Sequence, residues 1–206
     1  AINVPQIPII CICITNFTFK TVFVMDKSKE EVAALAAKLI VEDGFSYYSA
    51  KNQATEQLFL NNKRKQKNDN MPSNLEIESA IRTHIEIFHK NKFSARLKLL
   101  KKISYQIMTL LSDFKPLLIG QLAADIATNF STIRLCCFSD SSKEINIILL
   151  ENNISVDSLD LKHPYKNLYV EGLTFISEGE EVYIYTLLEK EPRFYLRGLN
   201  INDLKK

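Results

Sequence analysis

The sequence has few of the residues from which most metal and redox sites are built. Only four of its 206 residues are cysteine and three are histidine. The cysteines are Cys11, Cys13 and the adjacent pair Cys136 and Cys137, with no CxxC spacing. Neighbouring residues of a strand point to opposite faces, so the adjacent pair is poorly placed to hold one ion. We therefore expect no bound metal, and a reducing cytoplasm is the simplest location.

A strong charge imbalance and the short motifs of common catalytic folds are also missing. The formal net charge is +2, which argues neither for nor against a nucleic acid or a membrane as a partner. No GxxxxGKS/T phosphate loop and no dinucleotide-binding GxGxxG is present. Serine, histidine and aspartate occur without the nucleophile-elbow context of hydrolases. With 46% apolar and 24% charged residues, the chain can nevertheless bury a core.

Residues 1–24 contain no charge before Lys20 and are rich in β-branched and aromatic residues. A secretory signal needs basic residues before its apolar run and small residues at a cleavage site, and both are missing here. Pro8, Asn16 and Lys20 interrupt the run, whereas a membrane span needs about 20 apolar residues. Two interpretations stay open: an added β-strand, or a segment outside a natural domain that starts at Met25.

Residues 25–60 predict a helical hairpin, with helices over 28–43 and 49–60. Gly44 follows the last apolar position of the first helix and suits a left-handed stop. The apolar residues expected to face inward are Val32, Leu35, Ala36, Leu39, Ile40, Ala50, Ala54 and Leu58. A helix, a turn and a second helix also suggest a DNA-binding regulator, but the second helix carries a single cation, Lys51. We rank an ordinary hairpin first and expect no nucleic-acid partner.

Residues 61–72 are polar, with no apolar residue before Met71, which is typical of a linker. A second, larger domain is expected over 73–206. It begins with a helix whose Ser73 and Glu76 have capping-box spacing. The inward residues expected on that helix are Leu75, Ile77, Ile81, Ile85 and Phe88.

The rest of that domain alternates between helical and extended patterns. Helices are predicted over 94–114 and 141–152, and strands over 117–119, 132–138, 154–156, 166–176 and 181–188. The last two strands are joined by a hairpin turn that contains Gly179. We predict an α+β fold in which these strands form one mixed sheet, with both helices packed on a single face.

This order of elements resembles the minimal nucleotidyltransferase fold that is shared with DNA polymerase β. The resemblance implies that the domain over 73–206 is nucleotidyltransferase-like. Residues from Lys29 to Leu188 are similar to a bacterial family of uncharacterised nucleotidyltransferase-like proteins. The stretches that carry the resemblance are AALAAKLIVEDGFSYYSAKNQA, SARLKLL, FKPLLIG and STIRLCCFSDSSKEINIILLENNI.

The resemblance implies a turn glycine after the first strand, a serine before the second strand, and two carboxylates alternating on that second strand to hold Mg²⁺. Gly120 and Ser131 match the glycine and the serine. The two carboxylate positions fall on Thr132 and Arg134, and an arginine places a cation where a metal ligand belongs. These four residues are the candidate nucleotide- or phosphate-binding set, and no metal or other cofactor is expected.

The resemblance therefore implies a catalytically degenerate protein that binds a nucleotide or a protein partner. Arg134 then replaces the metal as the counter-charge of a phosphate, or it faces solvent and pairs with an acid such as Glu144. The alternative is an active Mg²⁺-dependent transferase with displaced acids. Asp125, Asp140 and Glu181 lie near the expected positions, but none has the needed spacing.

Overall fold

The structure is a computed structural model that describes residues 29–59, 71–193 and 196–205. The chain divides into two compact units, residues 1–84 and 85–206. The predicted segment 1–24, and the predicted linker up to residue 70, lie outside the described residues.

The first unit contains the two helices of the predicted hairpin. Helix α1 spans residues 29–43 and helix α2 spans Tyr47–Phe59. Gly44, just beyond α1, has a φ of +73°, as a left-handed stop requires. The Oγ of Ser46 accepts a hydrogen bond from the backbone N–H of Ser49 at 3.1 Å. Because this cap satisfies a free N–H, α2 begins two residues earlier than predicted.

Most of the predicted inward residues of these helices are buried. They include Val32, Ala36, Leu39, Ile40, Ala50 and Ala54. Leu58 was predicted to face inward, and this was wrong, because its side chain is 41% exposed. Among the residues of this stripe whose burial is described, Ala50 and Ala54 are thus buried and Leu58 is not.

Helix α3 spans Asn74–Phe88 and begins with the predicted capping box. The N–H of Ser73 donates to Oε2 of Glu76 at 2.7 Å, and the N–H of Glu76 donates to Oγ of Ser73 at 3.3 Å. Lys29 Nζ lies 2.8 Å from Oε1 of the same carboxylate. Hydrogen bonds from Lys29 and from Ser73 lower the pKa of Glu76 from 4.5 to about 2.

The second unit is a six-stranded mixed sheet with two main helices. The helices are α4 (Lys90–Leu110) and α5 (Ser142–Glu151). The strands are β1 (Leu117–Ile119), β2 (Ile133–Phe138), β3 (Asp157–Lys162), β4 (Tyr169–Ser177), β5 (Glu180–Leu187) and β6 (Gly198–Leu199). Their order in the sheet is β3-β4-β5-β2-β1-β6, with β2 and β5 parallel. The α+β prediction is confirmed.

One strand lies elsewhere than predicted. A strand was expected over 154–156, but β3 spans Asp157–Lys162 and pairs antiparallel with β4. As an edge strand it needs few apolar residues, because only one partner and part of one face bury it. Its apolar residues are Leu159 and Leu161, both half-buried. Because polar residues flank and separate these leucines, the sequence contains no apolar run that would predict a strand here.

The two faces of the sheet are buried in different ways. On the first face, alternate strand residues pack with α4 and α5 into one core, as predicted; it includes Leu100, Ile103, Ile107, Leu118, Ile133, Leu135, Ile145, Leu149 and Ile184. The second face carries a smaller apolar cluster of Ile119, Cys136, Phe138, Tyr185, Leu187 and Leu196. Because side chains alternate along β2, Arg134 lies on the second face together with Cys136.

Candidate functional site

Three of the four candidate residues meet where β1 ends and β2 begins. Gly120 directly follows β1 and has a φ of +77°, so it is the turn glycine that was predicted. A Cβ built on Gly120 would lie 3.8 Å from Cδ of Arg134. Oγ1 of Thr132 accepts a hydrogen bond from Nε of Arg134 at 3.3 Å. Gly120, Thr132 and Arg134 therefore form one surface, which we call the Arg134 surface.

Ser131, the fourth candidate, is engaged inside the loop between these strands. It is buried, and its Oγ donates to Oε1 of Gln121 at 2.7 Å. The same Oγ accepts the backbone N–H of Thr128 at 2.9 Å. These bonds hold the two ends of loop 120–132 together. Sequence reasoning did not pair Ser131 with Gln121, since the two lie in different turns of the loop.

Arg134 is exposed and lies beside two tyrosines of the neighbouring strand. Tyr183 is its register partner on β5, and Tyr185 follows on the same face. Burial raises the pKa of Tyr183, and the Glu181 carboxylate adds to the rise while Arg134 opposes it. Burial also raises the pKa of Tyr185, again against the effect of Arg134. Both phenols thus remain neutral beside the guanidinium at neutral pH.

Among the residues that the structure describes, no carboxylate forms an ion pair with Arg134. Glu144, the acid suggested as its partner, accepts a hydrogen bond from Oγ of Ser139 at 2.6 Å. Glu181 lies on the second face, where it accepts a hydrogen bond from the Tyr183 hydroxyl at 3.2 Å. Arg134 therefore presents an exposed positive charge that the described acids do not neutralise directly.

Two of the acids suggested as displaced metal ligands, Asp125 and Glu181, have separate partners. Asp125 lies in loop 120–132, is 65% exposed and pairs with Lys101 of α4. Glu181 is bound instead to Tyr183, at the start of β5. Mg²⁺ prefers several oxygen ligands that converge in near-octahedral geometry. At the Arg134 surface, the chain offers the Thr132 hydroxyl and a cation where the resemblance implies paired carboxylates.

Sequence reasoning missed the two tyrosines. The signal that was present is the alternation in VYIYTLL, which places Tyr183 and Tyr185 on one side of their strand. What the alternation did not reveal is that β5 pairs directly with β2, so that this side is also the side of Arg134.

A second polar group lies beyond the far end of β5. The side chain of His163 is 1% exposed, and its Nδ1 accepts the backbone N–H groups of Tyr165 and Lys166, each at 3.0 Å. Because Nδ1 accepts, the ring proton is on Nε2, which lies 3.1 Å from Oε1 of Glu191. Lys166 pairs with the same carboxylate. Both ring nitrogens therefore hold two loops together, which argues against a catalytic role.

Cys136, which lies near this group, and the adjacent Cys137 have thiols that are difficult to ionise. Burial, and secondarily the charge of Glu191, raise the pKa of Cys136 to about 12. Burial raises the pKa of Cys137 as well. A thiol must ionise to act as a nucleophile, so neither cysteine is suited to that role at neutral pH.

Comparisons with protein-family models, with curated proteins and with solved structures found no match. The nucleotidyltransferase-like resemblance therefore stays a prediction. None of the described helices is both long enough and apolar enough to cross a membrane.

Proposed function

We propose that the protein is a non-catalytic, nucleotidyltransferase-like module that binds the phosphate groups of a nucleotide at the Arg134 surface. The observation that carries the proposal is the exposed Arg134 guanidinium, which has no acid partner among the described residues. It lies beside the positive-φ turn at Gly120 and the hydroxyl of Thr132.

The chemistry of the guanidinium supports an anionic ligand. Only Nε of Arg134 donates a hydrogen bond within the described part of the chain, to Thr132. The two terminal nitrogens are therefore left to donate outward in the planar arrangement that matches a phosphate. Gly120 has no side chain that would crowd the approach of such a group.

The same residues argue against metal-dependent transfer. Thr132 offers a neutral hydroxyl, and an arginine offers only donors. Mg²⁺ sheds its waters reluctantly and needs hard oxygen ligands, so a two-metal site is not expected to assemble on this strand. Arg134 instead supplies the positive charge that a metal ion would otherwise bring to the phosphates.

The proposal is tested with ATP and with inorganic tripolyphosphate, each with and without Mg²⁺. Both should raise the melting temperature without Mg²⁺, because a ligand that binds only the folded state stabilises it. Arg134→Ala should weaken binding about tenfold or more, since a hydrogen bond to a charged group contributes roughly 1.5–3 kcal/mol. Calorimetric titration of the purified chain gives the affinities.

Lys143→Ala is the matched control, because Lys143 is an exposed cation on α5, which packs on the first face. It should leave the affinity unchanged. The proposal fails if neither polyphosphate binds, or if both substitutions weaken binding equally. Mg²⁺-dependent transfer of label from an α-labelled triphosphate, lost in Asp125→Asn or Glu181→Gln, would instead establish the active transferase.

A further inference from the structure

Arg96 connects α4 to both the sheet and the loop of the Arg134 surface. Its terminal nitrogens donate to the two carboxylate oxygens of Glu180, each at 2.8 Å. Its Nε donates to the backbone carbonyl of Thr128 at 2.7 Å. The side chains of Arg96 and Glu180 are only 23% and 17% exposed. Glu180 is the first residue of β5, and Thr128 lies in loop 120–132.

From Thr128 the hydrogen bonds continue to both ends of the loop. The Thr128 N–H donates to Oγ of Ser131, and that hydroxyl donates to Oε1 of Gln121. Gln121 directly follows Gly120, and Ser131 directly precedes Thr132. These hydrogen bonds thus link Arg96 to Gln121 and Ser131. Those two residues adjoin Gly120 and Thr132 of the Arg134 surface.

We infer that Arg96 is a positioning residue, which holds Gly120 and Thr132 in the arrangement that the Arg134 surface needs to bind its anion. This inference rests on the proposed function for the identity of the ligand. Arg96 itself makes no contact with that ligand. Arginine suits the role because its planar guanidinium can donate to both oxygens of a carboxylate and, through Nε, to a third acceptor. A lysine has one ammonium nitrogen and cannot match this geometry.

A second tether of the same loop is weaker. Lys101 of α4 pairs with Asp125, but the acid is 65% exposed. Exposed ion pairs contribute little to stability, since solvent screens them and ordering two side chains costs entropy. The loop should therefore depend mainly on Arg96.

The first test is hydrogen exchange of the full chain without ligand. Arg96→Lys should raise the exchange rates of amides in 121–132 roughly tenfold. The substitution removes about one charge-assisted hydrogen bond and so lowers the free energy of local opening. Glu189→Gln is the control: it removes an exposed acid that pairs with Lys115, outside the loop. It should leave those rates unchanged. Unaltered exchange in Arg96→Lys would overturn the inference.

The second test separates positioning from a merely structural ion pair. The double variant Arg96→Glu/Glu180→Arg restores opposite charges, but a glutamate cannot donate to the Thr128 carbonyl. Its melting temperature should recover relative to the single variant Arg96→Glu. Exchange in 121–132 should stay raised, and ATP affinity should stay about tenfold below that of the unmodified chain. Recovery of loop protection and of affinity together with stability would overturn the inference.

The two readouts also distinguish the inference from the proposed function. If the unmodified chain binds no ATP while Arg96→Lys loosens the loop, phosphate binding fails and the control of the loop by Arg96 stands. If ATP binding depends on Arg134 but neither binding nor exchange responds to Arg96→Lys, the site stands and Arg96 does not position it.

Discussion

Arg134 and Tyr183 are direct partners in the parallel pairing of β2 with β5, and both side chains lie on the second face of the sheet. The neighbouring Glu181 accepts the hydrogen bond of the Tyr183 hydroxyl. A cation, a phenol and an acid therefore follow one another across two strands. The acid is the component of this group that opposes an incoming anion.

Removing the charge of Glu181 should strengthen anion binding. Glu181→Gln removes a negative charge that repels an anion bound at Arg134. ATP affinity should therefore rise about two- to threefold at low salt. The gain should shrink as salt is added, because ions screen exposed charges. Glu151→Gln removes an exposed acid from α5 and should change nothing. Weaker binding in Glu181→Gln would mean that the acid helps to hold the ligand.

Acid should remove the stabilisation that Glu76 supplies. Its pKa falls to about 2 in the folded state, below the ordinary 4.5, so its charged form is favoured by folding. That contribution is complete above about pH 5 and is lost as the pH falls towards about 2. Glu76→Gln should therefore flatten the fall in melting temperature over this range. Glu31→Gln, at an exposed position on α1, is the control and should keep the steeper fall.

Two isoleucines of α5 provide a matched test of the core. Ile145 is fully buried in the first-face core, whereas Ile147 is 55% exposed. Ile145→Ala should lower the free energy of unfolding by about 2–5 kcal/mol, and Ile147→Ala by about 0.5 kcal/mol or less. Urea denaturation measures both. Equal losses would show that α5 packs on the sheet through a different side.

Cys136 and Cys137 should resist thiol reagents in the folded protein. Burial raises the pKa of both, so few thiolates form, and reagents cannot reach them. The measurement uses a variant in which Cys11 and Cys13 are replaced by serine. Its two remaining thiols should react with a chromogenic disulfide only after urea is added. Rapid reaction without urea would contradict the buried position of β2.

Features that depend on a few neighbouring residues could be predicted well. The capping box of Ser73 and Glu76 forms as expected. Gly44, Gly120 and Gly179 all have positive φ, as their turns require. Such features need only local hydrogen bonds and local backbone sterics, and both can be recognised from residue types at short spacing.

Burial along the helices was predicted only in part. Leu58, Leu75 and Phe88 were expected to face inward, but they are 41%, 52% and 65% exposed. Helical periodicity identifies the side of a helix that is apolar. It does not identify how much of that side a neighbouring element covers, because this depends on where the neighbour lies.

The sequence by itself determined the class of fold, the place of Arg134 on its strand and the turn at Gly120. Only the tertiary structure decided what surrounds them. Tyr183 lies beside Arg134 because β5 is the parallel neighbour of β2 in the sheet. Arg96 meets Glu180 across 84 positions of the chain. Parallel strands need a long crossover connection, so contacts of this kind depend on the order of strands in the whole sheet and not on any local pattern of residues.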